Sequence, residues 1–406
     1  MGVVYMGGIC GMGMAPLAIL LKAGNNTVFG FDDNADIRVK KLLQKFGIDC
    51  KSSFDENVRP DLFVISTALC GRNLKSAAKT QRRGVCFADF CKTRKLVAIT
   101  GSHGKSTVSN LCAHAINKLA LNAGYMVGAL SEHYAPAKFC KDGEYIFSEI
   151  DESDATIENF SPEICVALNY DLDHTDTYKN ADELKNMFCR LFERTKQKII
   201  VPSCDETLCE LAKASGKNFE IVQIRPDADF STINTLMAQC ALKSVFGQNL
   251  DCGVLDTFEG TYRRQEVLCN TPHIFAMADY AHHPNEVKAF LKWFGKKYGN
   301  KSILFFQPHR YSRTKRFAKT FAQILEDFAK LGNSVYVLPV YAASERFDEL
   351  GTSDKITQNS QLLKKVEFSD MQKTVESLKT GGKKYTAAFV GAGDIYFKAK
   401  EFISEK

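Results

Sequence analysis

Short apolar runs alternate along this chain with longer stretches of helical pattern. The runs are rich in valine, isoleucine and phenylalanine, as in "TVFGF", "LFVIS", "LVAIT" and "SILFF". Strand, glycine turn and helix follow one another at "VVYMGGICGMGMAPL" and at "KLVAITGSHGKSTVSN", and a third segment begins near "FEGTYRRQE". Apolar strands that alternate with helices predict an α/β fold built on largely parallel sheets.

The three segments divide a chain that is too long for one ordinary core. At 406 residues, two or three domains are expected. The pattern places the boundaries near residues 94 and 258. We therefore predict domains over residues 1–93, 94–258 and 259–406.

Composition and charge narrow the class of protein. Apolar residues make up 45% and charged residues 25%, as in ordinary globular proteins. The net charge of +6 is spread over the chain, which suits small anionic substrates at least as well as nucleic acid. The sequence has no apolar run near the ~20 residues that a membrane span needs, and "MGVVYMGGICGMGM" lacks the features of a signal peptide. The 14 scattered cysteines favour reduced thiols, so we expect a cytoplasmic protein without membrane insertion or nucleic-acid binding.

The first glycine turn has two interpretations. Gly8, Gly11 and Gly13 lie between a predicted strand and helix, where glycine lets a pyrophosphate approach the positive helix end. Asp32 or Asp33 follows at the end of the next strand, at the ribose-binding position of a dinucleotide fingerprint. A tight turn that needs only small residues would give the same pattern.

The second glycine turn, "TGSHGKST", carries a stronger phosphate-binding pattern, although the full six-residue spacing of a phosphate loop is missing. Backbone amides from Gly101 to Lys105 can surround a phosphate, and Lys105 can bridge its oxygens. The hydroxyl of Ser106 can hold Mg²⁺, and Thr107 can bind a further phosphate. A purely structural turn would not need a lysine followed by two hydroxyls.

Two acidic clusters follow apolar strands in the same predicted domain. The first comprises Glu149, Asp151, Glu152 and Asp154, and the second comprises Asn169, Asp171, Asp173, His174 and Asp176. Catalytic groups collect at the carboxyl ends of strands in α/β sheets, and oxygen ligands suit Mg²⁺. Solvated acidic loops are the alternative interpretation.

The last third of the chain contains two further polar clusters. They are Asp279, Tyr280, His282, His283 and Glu286, and then His309, Arg310 and Arg313. If a helix begins at the second cluster, its two guanidinium groups share one face and can bind a carboxylate or phosphate. Helix capping by the histidines and solvated arginines are the alternatives.

These motifs, taken in order, resemble those of the Mur ligases. The matching segments are "GGICGMGM", "TGSHGKST", "SEIDESD", "NYDLDHTDTY", "EGTYRRQE", "DYAHHPNE", "FQPHRYSR", "VYAASE" and "GAGDI", which extend from about residue 3 to residue 395. The segments "DHTDTY" and "FQPHRYSR" resemble the members that add L-alanine to UDP-N-acetylmuramate.

The resemblance implies three domains and a reaction. The domains would be a Rossmann-like domain for the UDP-sugar, a central P-loop ATPase domain and a Rossmann-like C-terminal domain. ATP and Mg²⁺ would serve to phosphorylate the carboxylate of UDP-N-acetylmuramate, and L-alanine would attack the acyl phosphate. The product belongs to peptidoglycan precursor synthesis, and the enzyme would be a monomer or homodimer.

The resemblance also assigns residues. The UDP-sugar would contact Gly8, Gly11, Met12, Gly13, Asp32, Ser66, Thr67 and Ala68. ATP would contact Gly101, Ser102, His103, Gly104, Lys105, Ser106 and Thr107, together with Asn234, Arg263, Asp279, Tyr280 and His282. Mg²⁺ would be held by Ser106, Glu149 and His174. The amino acid would meet His309, Arg310 and Arg313, and the catalytic group would comprise Lys105, Glu149, His174, Arg310 and Arg313.

Three departures from the family pattern keep two alternatives open. Cys10 stands where alanine-adding members usually carry glycine. The resulting "GICG" turn resembles that of the branch that recycles a murein tripeptide. The second half of the central segment is short. The segment expected near adenine reads "FSTIN", in which Asn234 alone matches. The alternatives are the tripeptide ligase and a UDP-sugar-binding relative with weakened catalysis.

Overall fold

In the computed structural model the chain forms two compact units, Met1–Glu259 and Gly260–Lys406. The structure describes residues 2–69, 71–72, 74, 78–131, 133–151, 156–171, 180–299, 301–343, 345–380 and 382–404. Within these residues, no helix is long and apolar enough to cross a membrane.

The first unit begins with a five-stranded parallel sheet. Its strands are β1 (Val3–Gly7), β2 (Thr27–Phe31), β3 (Asp49–Lys51), β4 (Leu62–Ile65) and β5 (Lys79–Arg82), and its helices are α1 (Met14–Ala23), α2 (Ile37–Lys45) and α3 (Arg83–Cys91). The strand order is β3-β2-β1-β4-β5. Gly7 pairs with both Phe31 and Ile65, so β1, β2 and β4 end at one edge of the sheet.

A second sheet of seven strands follows in the same unit. It contains β6 (Lys95–Thr100), β7 (Ala123–Met126), β8 (Ala137–Lys138), β9 (Tyr145–Glu149), β10 (Ile164–Ala167), β11 (Lys198–Pro202) and β12 (Phe219–Val222). Its helices are α4 (Lys105–Lys118), α5 (Ala181–Arg194), α6 (Glu206–Ala214) and α7 (Phe230–Phe246). The order is β12-β11-β10-β6-β9-β7-β8, with only β8 antiparallel to its neighbour. The apolar strand β6 lies at the centre, which places the loop after it between the ends of β9 and β10.

One apolar core joins these two sheets. It includes side chains of α1 and α3 together with side chains of β6, β10 and α5. Phe87 of α3 packs on Phe160 at a ring distance of 5.6 Å. Gly84 lies so close to Thr156 that an added Cβ would be 2.4 Å from its side chain. The division of this unit at residues 93 and 94 stays a prediction.

The second unit has a six-stranded sheet. Its strands are β13 (Glu266–Asn270), β14 (Ile274–Asp279), β15 (Ile303–Phe306), β16 (Ser334–Val337), β17 (Leu363–Lys365) and β18 (Tyr385–Val390). Its helices are α8 (Pro284–Tyr298), α9 (Tyr311–Lys330), α10 (Asp354–Thr357), α11 (Phe368–Thr380) and α12 (Ile395–Ser404). The order is β13-β14-β18-β15-β16-β17, with β13 antiparallel. Val390 pairs with both Asp279 and Phe306, so β14, β15 and β18 end together.

Candidate active site

The first glycine turn is held against the end of β2. The amides of Gly8 and Ile9 donate to the Phe31 carbonyl at 2.8 and 3.2 Å, and the Gly11 amide donates to the Gly8 carbonyl at 3.0 Å. Gly8 has a φ of 71°, and a Cβ there would lie 2.5 Å from the Ser66 hydroxyl. Glycine is therefore required at residue 8 both by the backbone conformation and by the approach of the loop after β4.

Asp32 is the acidic residue that organises this turn. Its carboxylate accepts hydrogen bonds from the amides of Cys10 and Asn34, each at 3.0 Å. Asp33 instead pairs with the exposed Arg72 at 2.5 Å. The loop after β4 continues as a short 3₁₀ turn over Thr67–Leu69. The structure thus gathers the residues predicted for the UDP-sugar at one edge of the first sheet: Gly8, Gly11, Met12, Gly13, Asp32, Ser66, Thr67 and Ala68.

Arg83 is a candidate binding residue that the sequence reasoning missed. A Cβ on Gly13 would lie 3.0–3.1 Å from three atoms of the Arg83 side chain, which therefore crosses the start of α1. A guanidinium beside a helix N-terminus adds to the attraction of an anion such as a diphosphate. The available signal was the basic segment "QRRG" at the end of β5.

The second glycine turn connects β6 to α4, which is the strand–turn–helix context predicted for it. Gly101 and Gly104 have φ values of 127° and 85°. A Cβ on Gly101 would lie 2.9 Å from the Asn169 amide nitrogen, and one on Gly104 would lie 2.6 Å from Asn234 Oδ1. Asn234, on α7, is buried beside the loop. Lys105 begins α4, whose first-turn amides have no partner within the helix and are suited to bind phosphate.

Asn169 and Asp171 brace this loop. The Asn169 side chain accepts from the His103 amide at 2.9 Å and donates to the His103 carbonyl at 2.8 Å. Asp171 accepts from Ser102 Oγ through its carbonyl and lies 3.0 Å from His103 Nε2 through its carboxylate. The His103 amide is thus turned towards Asn169. The prediction counted this amide among those that surround a phosphate, whereas here it donates to Asn169 on the loop after β10.

The phosphate loop, α4 and β9 bring three of the predicted catalytic and metal-binding side chains together. Lys105 Nζ donates to the Gly101 carbonyl at 2.7 Å and lies 3.7 Å from Asp151 Oδ1. Ser106 Oγ donates to Glu149 Oε2 at 2.7 Å. The Lys105 side chain is only 13% exposed, so its charge acts with little screening by water.

The remaining predicted ligand cannot be placed. His174 lies outside the described residues, as do Glu152, Asp154, Asp173 and Asp176. Among the described residues, the Ser106 hydroxyl and the Glu149 carboxylate form an oxygen pair whose chemistry fits Mg²⁺.

In the second unit, Asp279 is buried at the end of β14. Its carboxylate accepts from the amides of Gln265 and Ala281 at 2.9 and 2.8 Å. Burial outweighs the nearby Arg264 guanidinium and raises the pKa of Asp279 to about 6.

Glu286 holds the neighbouring histidine loop. It accepts from the His282 amide at 3.0 Å and caps the start of α8. Its other oxygen lies 3.4 Å from Arg264 Nη1. The His282 ring lies 3.0 Å from the Tyr280 carbonyl through Nδ1. The sequence reasoning grouped Glu286 with this cluster but assigned it no role.

His309 joins the same cluster. Its ring centre lies 5.6 Å from that of His282, and its Nδ1 lies 3.3 Å from Arg313 Nη1. Burial, together with the cationic Arg313, lowers the pKa of His282 to about 4 and that of His309 to about 3. Both imidazoles are therefore neutral near pH 7.

Two arginines have unusual backbones. Arg310 has a φ of 69° and precedes α9, which starts at Tyr311. The condition for a shared helix face is therefore not met at Arg310, and only Arg313 lies within the helix. Arg263 has a φ of 61°, and its guanidinium lies 4.9 Å from the Tyr280 ring centre. Strained backbone of this kind is often retained at functional sites.

The neutral histidines predict an acid-sensitive second unit. Below the ordinary histidine pKa of about 6.5, His282 and His309 take up protons on unfolding, whereas Asp279 binds a proton in the folded unit below about pH 6. Two histidines outweigh one carboxyl, so stability should fall between about pH 6.5 and pH 4. Thermal unfolding followed by Trp293, the only tryptophan, reports on this unit. The His309→Asn variant should lose stability less steeply; an unchanged slope would contradict this account.

Comparisons with known proteins agree with this arrangement. Residues 99–250 match the Mur ligase middle domain. A crystal structure of the UDP-N-acetylmuramate-alanine ligase MurC from Thermotoga maritima superposes with a TM-score of 0.80 at 22% identity, covering 99% of this chain and 98% of that one. A murein peptide ligase from Psychrobacter arcticus gives a TM-score of 0.68 at 18% identity, covering 100% and 98%. The predicted α/β fold and the predicted resemblance to the Mur ligases are confirmed.

The similar curated proteins share a more specific name. The chain is 28% identical to the UDP-N-acetylmuramate--L-alanine ligase of Caldicellulosiruptor saccharolyticus, covering 99% of this chain and 98% of the relative. It is 27% identical to the enzyme of that name from Fusobacterium nucleatum, covering 99% and 96%. The predicted resemblance to the alanine-adding ligases is confirmed.

Proposed function

We propose that this protein is an ATP-dependent ligase that joins L-alanine to the carboxylate of UDP-N-acetylmuramate through an acyl phosphate. The observation that carries the proposal is the convergence of Lys105, Ser106 and Glu149 at the loop between β6 and α4. A lysine, a hydroxyl and a carboxylate at a glycine-rich helix start are the groups that phosphoryl transfer from ATP requires.

The first half-reaction follows from these residues. A carboxylate is a poor acyl donor because its leaving oxide is poor, and transfer of the γ-phosphoryl group gives it a good leaving group. Lys105 offsets the charge that spreads over the transferring phosphoryl oxygens, and the α4 amides orient the phosphates. Ser106 and Glu149, with His174, would hold Mg²⁺, which when bound supplies further positive charge to the phosphates.

The second half-reaction needs the amine of L-alanine. We assign its carboxylate to Arg310 and Arg313, because guanidinium groups bind carboxylates through paired hydrogen bonds. His309 lies beside Arg313 and is neutral, so it places no like charge against that guanidinium. Attack of the amine on the acyl phosphate forms the amide and releases phosphate.

The other predicted contacts complete the proposal. The first glycine turn, with Asp32 and the loop containing Ser66, would bind the UDP-sugar, and Arg83 would add a contact to its diphosphate. Asn234 would serve ATP from α7. Arg263, Asp279, Tyr280 and His282 are proposed to serve ATP from the second unit. We also propose three domains, with boundaries near residues 94 and 258, and a cytoplasmic monomer or homodimer.

Cys10 and the altered "FSTIN" segment favour the two alternatives, which are the tripeptide ligase of cell-wall recycling and a binding protein with weakened catalysis. Asn234 opposes loss of ATP use, because its side chain lies against Gly104 of the proposed phosphate loop.

Phosphate release by the purified protein tests the proposal. ATP, Mg²⁺ and UDP-N-acetylmuramate are supplied with L-alanine, with the murein tripeptide, or with neither, and the product mass is determined. Release that requires L-alanine, with a product of UDP-N-acetylmuramoyl-L-alanine, supports the proposal. Release only with the tripeptide would assign the recycling reaction. UDP-sugar binding without release in any mixture would identify the weakened relative.

A further inference from the structure

Two buried thiols meet at the first glycine turn. Cys10 Sγ and Cys50 Sγ lie 3.5 Å apart, with the two residues 6% and 9% exposed. Cys10 belongs to the turn after β1, and Cys50 lies on β3 at the edge of the same sheet. A disulfide has an S–S distance of about 2.05 Å, so the sulfurs need to approach by about 1.5 Å to form one.

The contact distinguishes the two thiols chemically. The hydrogen bond between the thiols lowers the pKa of Cys50, which accepts it as a thiolate, and raises the pKa of Cys10, which donates it. The negative charge of Asp32 also raises the pKa of both thiols, and the positive charge of Lys40 lowers it. Because the thiolate is the nucleophile of thiol oxidation, Cys50 is the sulfur expected to react first.

A movement of Cys10 towards Cys50 would disturb the hydrogen bonds of the first glycine turn. The Cys10 amide donates to Asp32, and the preceding Gly8 and Ile9 amides donate to Phe31. A movement of Cys10 towards β3 therefore alters the positions of amides and glycines that the proposed function assigns to the UDP diphosphate. Such binding depends on backbone amides held in place beforehand.

We propose that Cys10 and Cys50 are a reversible disulfide pair whose closure weakens UDP-sugar binding. The effect on binding rests on the proposed function, whereas disulfide formation rests on the thiol contact alone. A peroxide is the oxidant: the Cys50 thiolate attacks a peroxide oxygen, the O–O bond breaks, and Cys50 becomes a sulfenic acid. The alkoxide or hydroxide that leaves takes up the proton that Cys50 lost on forming the thiolate. The Cys10 sulfur then attacks the Cys50 sulfur, the S–O bond breaks, and water leaves with the Cys10 proton.

The test uses the full chain and hydrogen peroxide. Free thiols are alkylated after oxidation, and non-reducing peptide mass spectrometry identifies linked cysteines. Calorimetry measures the Kd for UDP-N-acetylmuramate without ATP, before oxidation, after it, and after dithiothreitol. We expect a linked Cys10–Cys50 peptide, a Kd raised by about 10-fold or more, and full recovery on reduction. The Cys50→Ser variant should keep its affinity after peroxide, and Cys50→Ala serves if the serine variant folds poorly.

Each other outcome has a defined meaning. The Cys204→Ser variant, which removes an exposed thiol, should respond to peroxide like the unmodified protein. Failure to form the linked peptide, or a linked protein with unchanged affinity, would overturn the inference. Another outcome is that the protein forms the disulfide on oxidation and yet shows no binding of UDP-N-acetylmuramate in its reduced state. That result would refute the proposed UDP-sugar site and the regulatory consequence, and leave the disulfide itself established.

Discussion

Replacement of Lys105 by alanine is expected to lower kcat for phosphate release by roughly 10³-fold. The Lys105 ammonium is largely buried at the start of α4 and already bonds the Gly101 carbonyl, so its position beside an incoming phosphate is fixed. Its loss removes the protein's own positive charge from the transferring phosphoryl group. Affinity for UDP-N-acetylmuramate should stay within about twofold, because the first glycine turn belongs to another sheet.

The matched control for this variant is Lys118→Ala. Lys118 is an exposed lysine in the last turn of the same helix. Its removal should leave kcat unchanged, which separates the charge at the phosphate loop from a general effect on α4. A Lys105→Ala protein that retains more than about a tenth of the activity would contradict the assignment of phosphoryl transfer to this loop.

The parts of the fold that the sequence predicted are those with a local cause. Apolar runs such as β6, followed at once by glycine and then by helix-forming residues, predicted the strand–turn–helix units and the parallel sheets. The positive φ values of Gly8, Gly101 and Gly104 add a conformational reason for glycine at those turns. The family resemblance supplied the order of the motifs, and hence the assignment of the two turns to different ligands.

The parts that the sequence reasoning missed depend on segments that meet only in the folded chain. Asn169 braces the phosphate loop from 66 residues away, and nothing in its own segment indicates that partner. Arg83 crosses Gly13 because β5 and β1, on either side of β4, end at the same edge of the sheet. The spacing of Arg310 and Arg313 leaves open whether a helix begins at Arg310, and the positive φ of Arg310 places it directly before the helix. Periodicity describes neighbours along the chain and carries no information on such approaches.

Gly128 is a further residue of this kind, and we expect Gly128→Ala to lower kcat by about 10²-fold with little loss of stability. A Cβ at residue 128 would lie 1.7 Å from Glu149 Oε1, so the carboxylate occupies the space that only glycine leaves open. Because the colliding group is the end of a flexible side chain, Glu149 can swing away at little cost to folding. The swing breaks its contact with Ser106, currently 2.7 Å, and disperses the oxygen pair proposed to hold Mg²⁺.

The variant is therefore expected to need a higher Mg²⁺ concentration for half-maximal rate, while its melting temperature and its affinity for UDP-N-acetylmuramate stay close to those of the unchanged protein. Gly24→Ala is the control, since Gly24 lies in the same unit with a φ of −78° and a new Cβ would meet nothing closer than 3.4 Å. Loss of activity together with a large fall in melting temperature would assign Gly128 to packing. Full activity would show that the contact between Ser106 and Glu149 is not needed for phosphoryl transfer, because the added methyl leaves Glu149 no room to keep it.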